Sequence, residues 1–276
     1  MKFATIIYSK DRAMQLHACL TSLQKHVKTM SDVFVLYKTE KYEHQYAKLK
    51  DEFENVSFVP EIDLAEQTRE ILQVVDYVLF VVDDTIFYRD FDLSECVIHL
   101  HKNSTLTSIL GFSLRLGQNV KWSHIRNREI EQPKRFIHIG ANCVCYNWIK
   151  AQCEFAYPLE VSSSIYRSSD MLLLLKNVQG HPGHIESSMN RQKGRFVKRA
   201  PFLLCYKQSV AFANPVNVVR KTRCPSGRKY SYSIGELATM FDEGKRINVD
   251  VDFGDIIGVH QEVEYKFYET YVQSKR

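Results

Sequence analysis

Two glycine signatures are missing from this chain. It contains neither GxGxxG nor GxxxxGK[ST], which argues against a dinucleotide cofactor on a Gly-rich turn and against a P-loop. No CxxC pair occurs among its seven cysteines, which argues against a zinc site. The odd, irregularly spaced set sits largely in apolar runs, where thiols behave as small hydrophobes in a reducing, cytoplasmic setting. No apolar run approaches the ~20 residues of a membrane helix. The first nine residues are too short for a signal peptide, lack a small-residue cleavage site, and read as a strand. A soluble, cytoplasmic protein is expected. There is no internal repeat, low-complexity segment or flexible linker.

Acidic residues are missing from one long stretch. Residues 187–235 hold no Asp or Glu but eleven Lys and Arg, so this segment is +11 and the remainder −6, giving the net +5. Such a block attracts phosphates, nucleic acid or an acidic membrane surface; otherwise it is a solvated face. No compact nucleic-acid motif accompanies it, so nucleic acid is not an expected partner.

What is present is ordinary for a globular protein: 276 residues, 45% apolar and 25% charged, enough for one large domain with a real core. Residues 2–9 read as a strand and 12–27 as an amphipathic helix. A strand over 33–37, a surface helix over 42–53 and a short strand over 56–59 follow. Asp63 with Glu66 three positions on is a capping-box pattern opening a helix over 64–75. The run Tyr77–Val82 is unbroken apolar sequence, as in a strand buried on both faces. This β-α-β-α-β-α-β order with short connections predicts an α/β fold: a mixed, mainly parallel, Rossmann-like sheet with helices on both faces. Beyond it, helices are expected over 93–102, 170–177, from about 183, and over 233–243. Strands are expected over 106–116, 136–138, 142–146, 162–167 and 203–212, the last with a turn at 207–208.

Asp83 and Asp84 follow the fourth strand directly. Ligands of open α/β sheets sit outside the carboxyl ends of strands, and two acids there can hold a divalent cation against a diphosphate. The alternative is a solvated turn. Ser9-Lys10-Asp11-Arg12 closes the first strand at the same edge and can hold a nucleotide through side chains.

The stretch Ile6-Ile7-Tyr8-Ser9-Lys10-Asp11-Arg12, with Leu16 and Leu20-Thr21-Ser22-Leu23 after it, resembles the opening of GT-A glycosyltransferases of the family 2 type. Asp76 to Asp84 falls where those enzymes carry a strand ending in a DxD-type metal motif. Ile165-Tyr166-Arg167 and Asp170-Met171-Leu172 resemble the strand and helix before their catalytic segment. His181-Pro182-Gly183-His184-Ile185-Glu186 resembles the NPNxLE segment of a bacterial and viral branch, and His260-Gln261-Glu262 its closing segment. The likeness covers about residues 3–265. Two departures stand out: Thr85 where many relatives have a third acid, and His181 and His184 where Asn is usual.

The resemblance implies a single GT-A domain over 1–276, with a nucleotide-sugar half (1–90) and an acceptor half (91–276). The implied activity moves a sugar from a UDP-, GDP- or dTDP-sugar to a glycan hydroxyl, with inversion. The implied metal ligands for Mn²⁺ or Mg²⁺ are Asp83, Asp84 and a late His260, although a lone His is also a common structural residue. Glu186 is the first choice for the base and Asp170 the second; Asp170 fits helix capping equally well. Ser9, Lys10, Arg12, Gln67, Arg69, Asp83 and Arg115 are the implied donor contacts. For Gln67 and Arg69 a solvated helix face is the competing reading, and for Arg115 a partner acid. Trp122 and Tyr166 are candidates to stack on a sugar or base, or else core aromatics. The basic segment offers contact with an anionic membrane or a lipid-linked acceptor. Two rival functions remain: a nucleotidyltransferase on a similar sheet, which normally has a Gly-rich loop after its first strand, and a non-enzymatic nucleic-acid-binding protein.

Overall fold

The computed structural model describes residues 1–29, 31–101, 108–219 and 225–270. The first half alternates strand and helix as its hydrophobic periods dictate: β1 (Phe3–Lys10), α1 (Ala13–His26), β2 (Asp32–Lys38), α2 (Glu43–Glu52), β3 (Val56–Pro60), α3 (Leu64–Val74) and β4 (Tyr77–Val82). Asp63 caps α3 by accepting from the backbone N–H groups of Ala65 and Glu66. Glu66 pairs with Arg69 instead of returning to the cap, so half of the expected box forms.

The second half holds β5 (Thr85–Phe87), α4 (Leu93–Ile98), β6 (Ile109–Ser113), β7 (Trp122–Ser123), β8 (Arg128–Glu129), β9 (Ile137–Ile139), β10 (Cys143–Asn147) and β11 (Ser164–Arg167). Then come α5 (Ser168–Leu175), α6 (Pro182–Arg191), β12 (Phe202–Tyr206), β13 (Ala211–Ala213), α7 (Ile234–Asp242), β14 (Lys245–Ile247) and β15 (Phe267–Glu269). The helix expected over 93–102 ends at Ile98, with residue 102 outside the described residues; the strand expected over 106–116 is Ile109–Ser113, with 106–107 likewise outside. The strand expected over 203–212 is two strands, β12 and β13, in different sheets. Ser233 and Glu236 form a complete capping box on α7.

One sheet organises the chain, in the order β3-β2-β1-β4-β11-β6-β12-β10-β9. β1, β2, β3 and β4 run parallel. β11 runs against both β4 and β6, β12 runs with β6, and β10 runs against β12 and β9. Seven strands therefore point one way and two, β11 and β10, the other.

Because side chains alternate across a strand, the run that reads as uniformly apolar feeds two cores. Ile7, Leu79 and Val81 pack with α1, α2 and α7 through Leu16, Leu20, Tyr46, Leu237 and Phe241. Ile6, Tyr8, Val78 and Phe80 pack with α3, α5 and α6 through Leu72, Met171, Leu174, Ile185 and Met189. The six described cysteines are all free and five are buried. Among the described residues no helix is long and apolar enough to cross a membrane.

Candidate active site

β1 and β4 end side by side, Tyr8 opposite Val82, so the turn after β1 meets the acids after β4. Asp83 Oδ2 accepts from Ser9 Oγ at 3.0 Å and from the Lys10 backbone N–H at 3.1 Å. Its Oδ1 accepts from Arg12 Nη1 at 3.0 Å, and the same nitrogen donates to Asp84 Oδ2 at 3.1 Å. Ser9 has one hydroxyl proton and spends it on Asp83, so the Tyr46 hydroxyl, 2.7 Å away, donates to Ser9. On the other side Asp11 adopts φ 53°, a left-handed conformation that Asp tolerates better than most residues. Its carboxylate accepts from Thr39 Oγ1 and the Glu40 N–H, both at 2.9 Å. The turn is thus anchored to β2 by one aspartate and to β4 by another.

Arg12 is 8% exposed and Asp83 4%. Burial opposes the charge of Arg12, but Asp83 and Asp84 outweigh it and hold the guanidinium protonated. Burial pushes the Asp83 carboxyl up; Arg12 acts against that rise. Counting formal charges, two carboxylates and one guanidinium leave one net negative charge at this edge. Arg12 Nη2 also donates to the Asn217 carbonyl at 2.5 Å, and Gln15 Nε2 to its side-chain oxygen at 3.2 Å. The loop after β13 is thereby tied over the turn.

The implied cation has a narrow place here. Both Asp83 oxygens are occupied, while the second Asp84 oxygen accepts no hydrogen bond among the described residues. No three His, Cys, Asp or Glu converge as a ligand set among the described residues. Such a donor set does not make a protein cage; it suits a hard cation held by one carboxylate together with substrate phosphates.

The carboxyl edge of the sheet continues through β11. Because β11 is antiparallel to β4, its leading segment, 158–163, arrives at the edge where β4 ends. Thr85 Oγ1 donates to the Ser162 carbonyl at 3.4 Å, and the Leu114 N–H to the Ser163 carbonyl at 2.9 Å. The Val161 N–H donates to Glu186 Oε2 at 3.0 Å. The Ser162 N–H donates to Glu160 Oε2, which also lies 3.4 Å from Arg115 Nη2. Tyr166, fully buried, donates to the Pro158 carbonyl at 2.9 Å and accepts from the Glu160 N–H at 3.0 Å. It is a post for this segment rather than a stacking platform. Trp122 is half-buried on β7.

Glu186, on α6, is half-buried. Burial pushes its carboxyl up, Arg115 acts against the rise, Glu160 adds to it, and the Val161 N–H and Tyr157 hydroxyl favour the ionised form. His260 has its backbone bridged to Ala213, the partner of Thr85. Burial, then Arg115 and His124, push its imidazole down to about 3, so it is neutral. It does not complete a ligand set with Asp83 and Asp84 among the described residues.

Other expected contacts are placed elsewhere. Asp170 lies away from this edge: Arg167 pairs with Tyr77, and the Ser168 N–H donates to the Asp76 carbonyl at 2.9 Å, which puts Asp170 at the amino end of β4. At ~3.3 Å per residue the six-residue strand separates it from Asp83 by roughly 20 Å, and it pairs with Arg167 and Arg199. Arg69 donates to the carbonyls of Leu175 and Val178, closing α5, and Gln67 bridges the Ile62 N–H and the Pro60 carbonyl. Lys10 Nζ reaches Glu40 at 2.9 Å. The basic segment is not one patch in sequence order. Residues 191–199 lie on α6 and the turn after it, β12 and β13 intervene, and Arg228 to Tyr230 give three backbone N–H groups to Glu262. Residues 220, 221 and 223 lie outside the described residues. Glu160, Tyr46 and Asn217 were not singled out as site residues by sequence. For Glu160 a signal existed: it is the one charged residue between Phe155 and Tyr166.

No family model matches the chain. Over 249 residues it is 26% identical to the bifunctional glycosyltransferase pgtA of Dictyostelium discoideum. The chain is homologous to a glycosyltransferase. The alignment takes in 79% of this chain and 32% of pgtA, so the chain spans about a third of the length of this curated relative. The fold is shared with S. aureus TarS (TM-score 0.50, 13% identity, covering 77% of this chain and 36% of that one). It is shared also with residues 1–349 of TarS in complex with UDP (TM-score 0.50, 14% identity, 78% and 61%).

Proposed function

We propose that this chain is a glycosyltransferase that moves a sugar from a nucleotide-diphosphate donor to a glycan hydroxyl, with inversion and with Glu186 as the base. The observation that carries the reading is the junction at Ser162. It joins the Arg12-bridged acids after β4 to a half-buried carboxylate of raised proton affinity on α6. Homology to pgtA, named a glycosyltransferase, supports the class.

Sugar transfer breaks the bond from the anomeric carbon to the donor phosphate oxygen, whose electron pair leaves with the diphosphate. The acceptor oxygen forms the new bond, and its proton goes to the base. A base works best when its pKa lies near the operating pH, and the environment of Glu186 moves its carboxyl in that direction. One displacement in line with the leaving group inverts the anomeric centre. Ser9, Lys10 and Arg12 hold the donor turn in place, and the edge's residual negative charge must be offset before a diphosphate settles there. A divalent cation on the open oxygen of Asp84 would supply that charge. The exposed Arg191, Arg195 and Lys198 are the proposed contact for an anionic membrane or a lipid-linked acceptor.

The test is a thermal-shift panel of UDP-, GDP- and dTDP-sugars with and without Mn²⁺. One nucleotide class should raise the melting temperature, and Mn²⁺ should add to that rise only when donor is present. No rise with any donor would count against the reading.

A further inference from the structure

Glu160 is 3% exposed, and its Oε1 is buried with no hydrogen-bond partner among the described residues. A buried carboxylate with one bare oxygen is costly, and the fold nonetheless keeps it beside Glu186. The two acids are held by one short segment, with the Val161 N–H on Glu186 and the next N–H, of Ser162, on Glu160. Ser163 completes the segment at φ 139°, a conformation side chains rarely adopt and one that must be over-determined by its surroundings. One guanidinium faces both acids. Arg115 Nη2 lies 3.4 Å from Glu160 Oε2, and no ion pair within 4.0 Å joins Arg115 to Glu186.

We propose that Glu160 is a positioning residue for the base: by engaging Arg115 it keeps that guanidinium off Glu186 and leaves Glu186 free to take the acceptor's proton. This rests on the reading of Glu186 as base. Two carboxylates compete for one cation. The one that wins holds the guanidinium, and the other meets a like charge with its counter-ion already committed. The Ser162 N–H decides the competition by fixing Glu160 Oε2 toward Arg115. The groups facing Glu186 are Arg115, Glu160, the Val161 N–H and the Tyr157 hydroxyl. Those around Arg115 are Glu160, Glu186, Tyr166 and Glu154, with His260 neutral beside it. Removing Glu160's charge therefore takes away the like charge and frees the guanidinium for Glu186 at once.

The full chain, labelled with ¹³C at the glutamate carboxyls, is titrated by NMR, the Glu186 signal being assigned by its loss in Glu186→Gln. Glu160→Gln should move the Glu186 midpoint down by about one pH unit or more, while Glu160→Asp, which keeps the charge, should restore most of it. Arg115→Gln is the second arm and should move the midpoint up. A Glu186 midpoint that stays put or rises in Glu160→Gln overturns the proposal, as does one that falls or stays put in Arg115→Gln. None of these titrations needs a donor. If they come out as expected while Glu186→Gln still transfers sugar, the base assignment fails and the coupling of the three residues stands.

Discussion

Asp83 and Asp84 are neighbours in sequence with different structural duties, and replacing each in turn separates them. Asp83 accepts three hydrogen bonds, from Ser9, Lys10 and Arg12, in a site where it is 4% exposed and its partner Arg12 8%. Removing one partner of a buried ion pair typically costs about 3–5 kcal/mol. Arg12 keeps Asp84 and the Asn217 carbonyl, which places Asp83→Ala near the lower end, about 3 kcal/mol. For a chain of this size that is a fall in Tm of roughly 6–12 °C. Asp83→Asn should do little better. Every partner of Asp83 is a donor, so an amide sets its own N–H₂ against one of them. Asp84 has a 15% exposed side chain and a single accepted bond, so Asp84→Ala should cost about 1 kcal/mol and leave Tm within a few degrees. Calorimetry or fluorescence melts without ligand measure both. The reasoning fails if Asp84→Ala melts as low as Asp83→Ala, or if Asp83→Ala melts with the wild type. Donor titration should give the complement: Asp84→Ala folds normally and loses the Mn²⁺-dependent part of donor binding.

Glu186→Gln should lower kcat by roughly 10²–10⁴-fold while leaving donor affinity unchanged. It should also stabilise the fold at neutral pH. A carboxyl whose folded pKa is raised contributes stability below its unfolded pKa and loses it as pH rises through the folded value, so the wild type pays a penalty at pH 7 that the amide lacks. Denaturant melts at pH 4.5 and 7.5 check this, and equal differences at the two pH values would refute it. Asp170→Ala should leave transfer intact and cost about 3 kcal/mol of stability, because it leaves the largely buried Arg167 without its carboxylate; a loss of kcat would return it to the site.

The β1–β4 edge was legible because it is local. Each strand from β1 to β4 is separated from the next by a single helix, and the apolar runs, the Asp63 cap and the acids after Val82 all lie within that repeat. The rest of the sheet was less so. β11, β6, β12 and β10 pair out of sequence order, and pattern alone does not give such partners. Nor does spacing tell that Arg12 fills the gap between acids 71 and 72 positions away. For Asp170 the helix-start reading and the resemblance competed, and a helix start occurs at either end of a sheet, so sequence alone does not say which end it occupies. His260 was implied as a ligand only by the resemblance, and its neighbourhood with Arg115 and His124 depends on folding no periodicity reports.

The reversed direction of β11 has an evolutionary consequence. In a wholly parallel sheet, residues at the working edge come from loops that follow strands. Here one contribution comes from a loop that precedes a strand, and its two ends are buried in the core through Leu159 and Ile165. Substitutions within 160–163 can change what faces the Glu186 carboxyl without altering the β1 turn or the acids after β4. Descendants of such a fold can therefore vary what surrounds Glu186 while the β1–β4 edge stays fixed, and the short segment entering β11 is where that divergence should be concentrated.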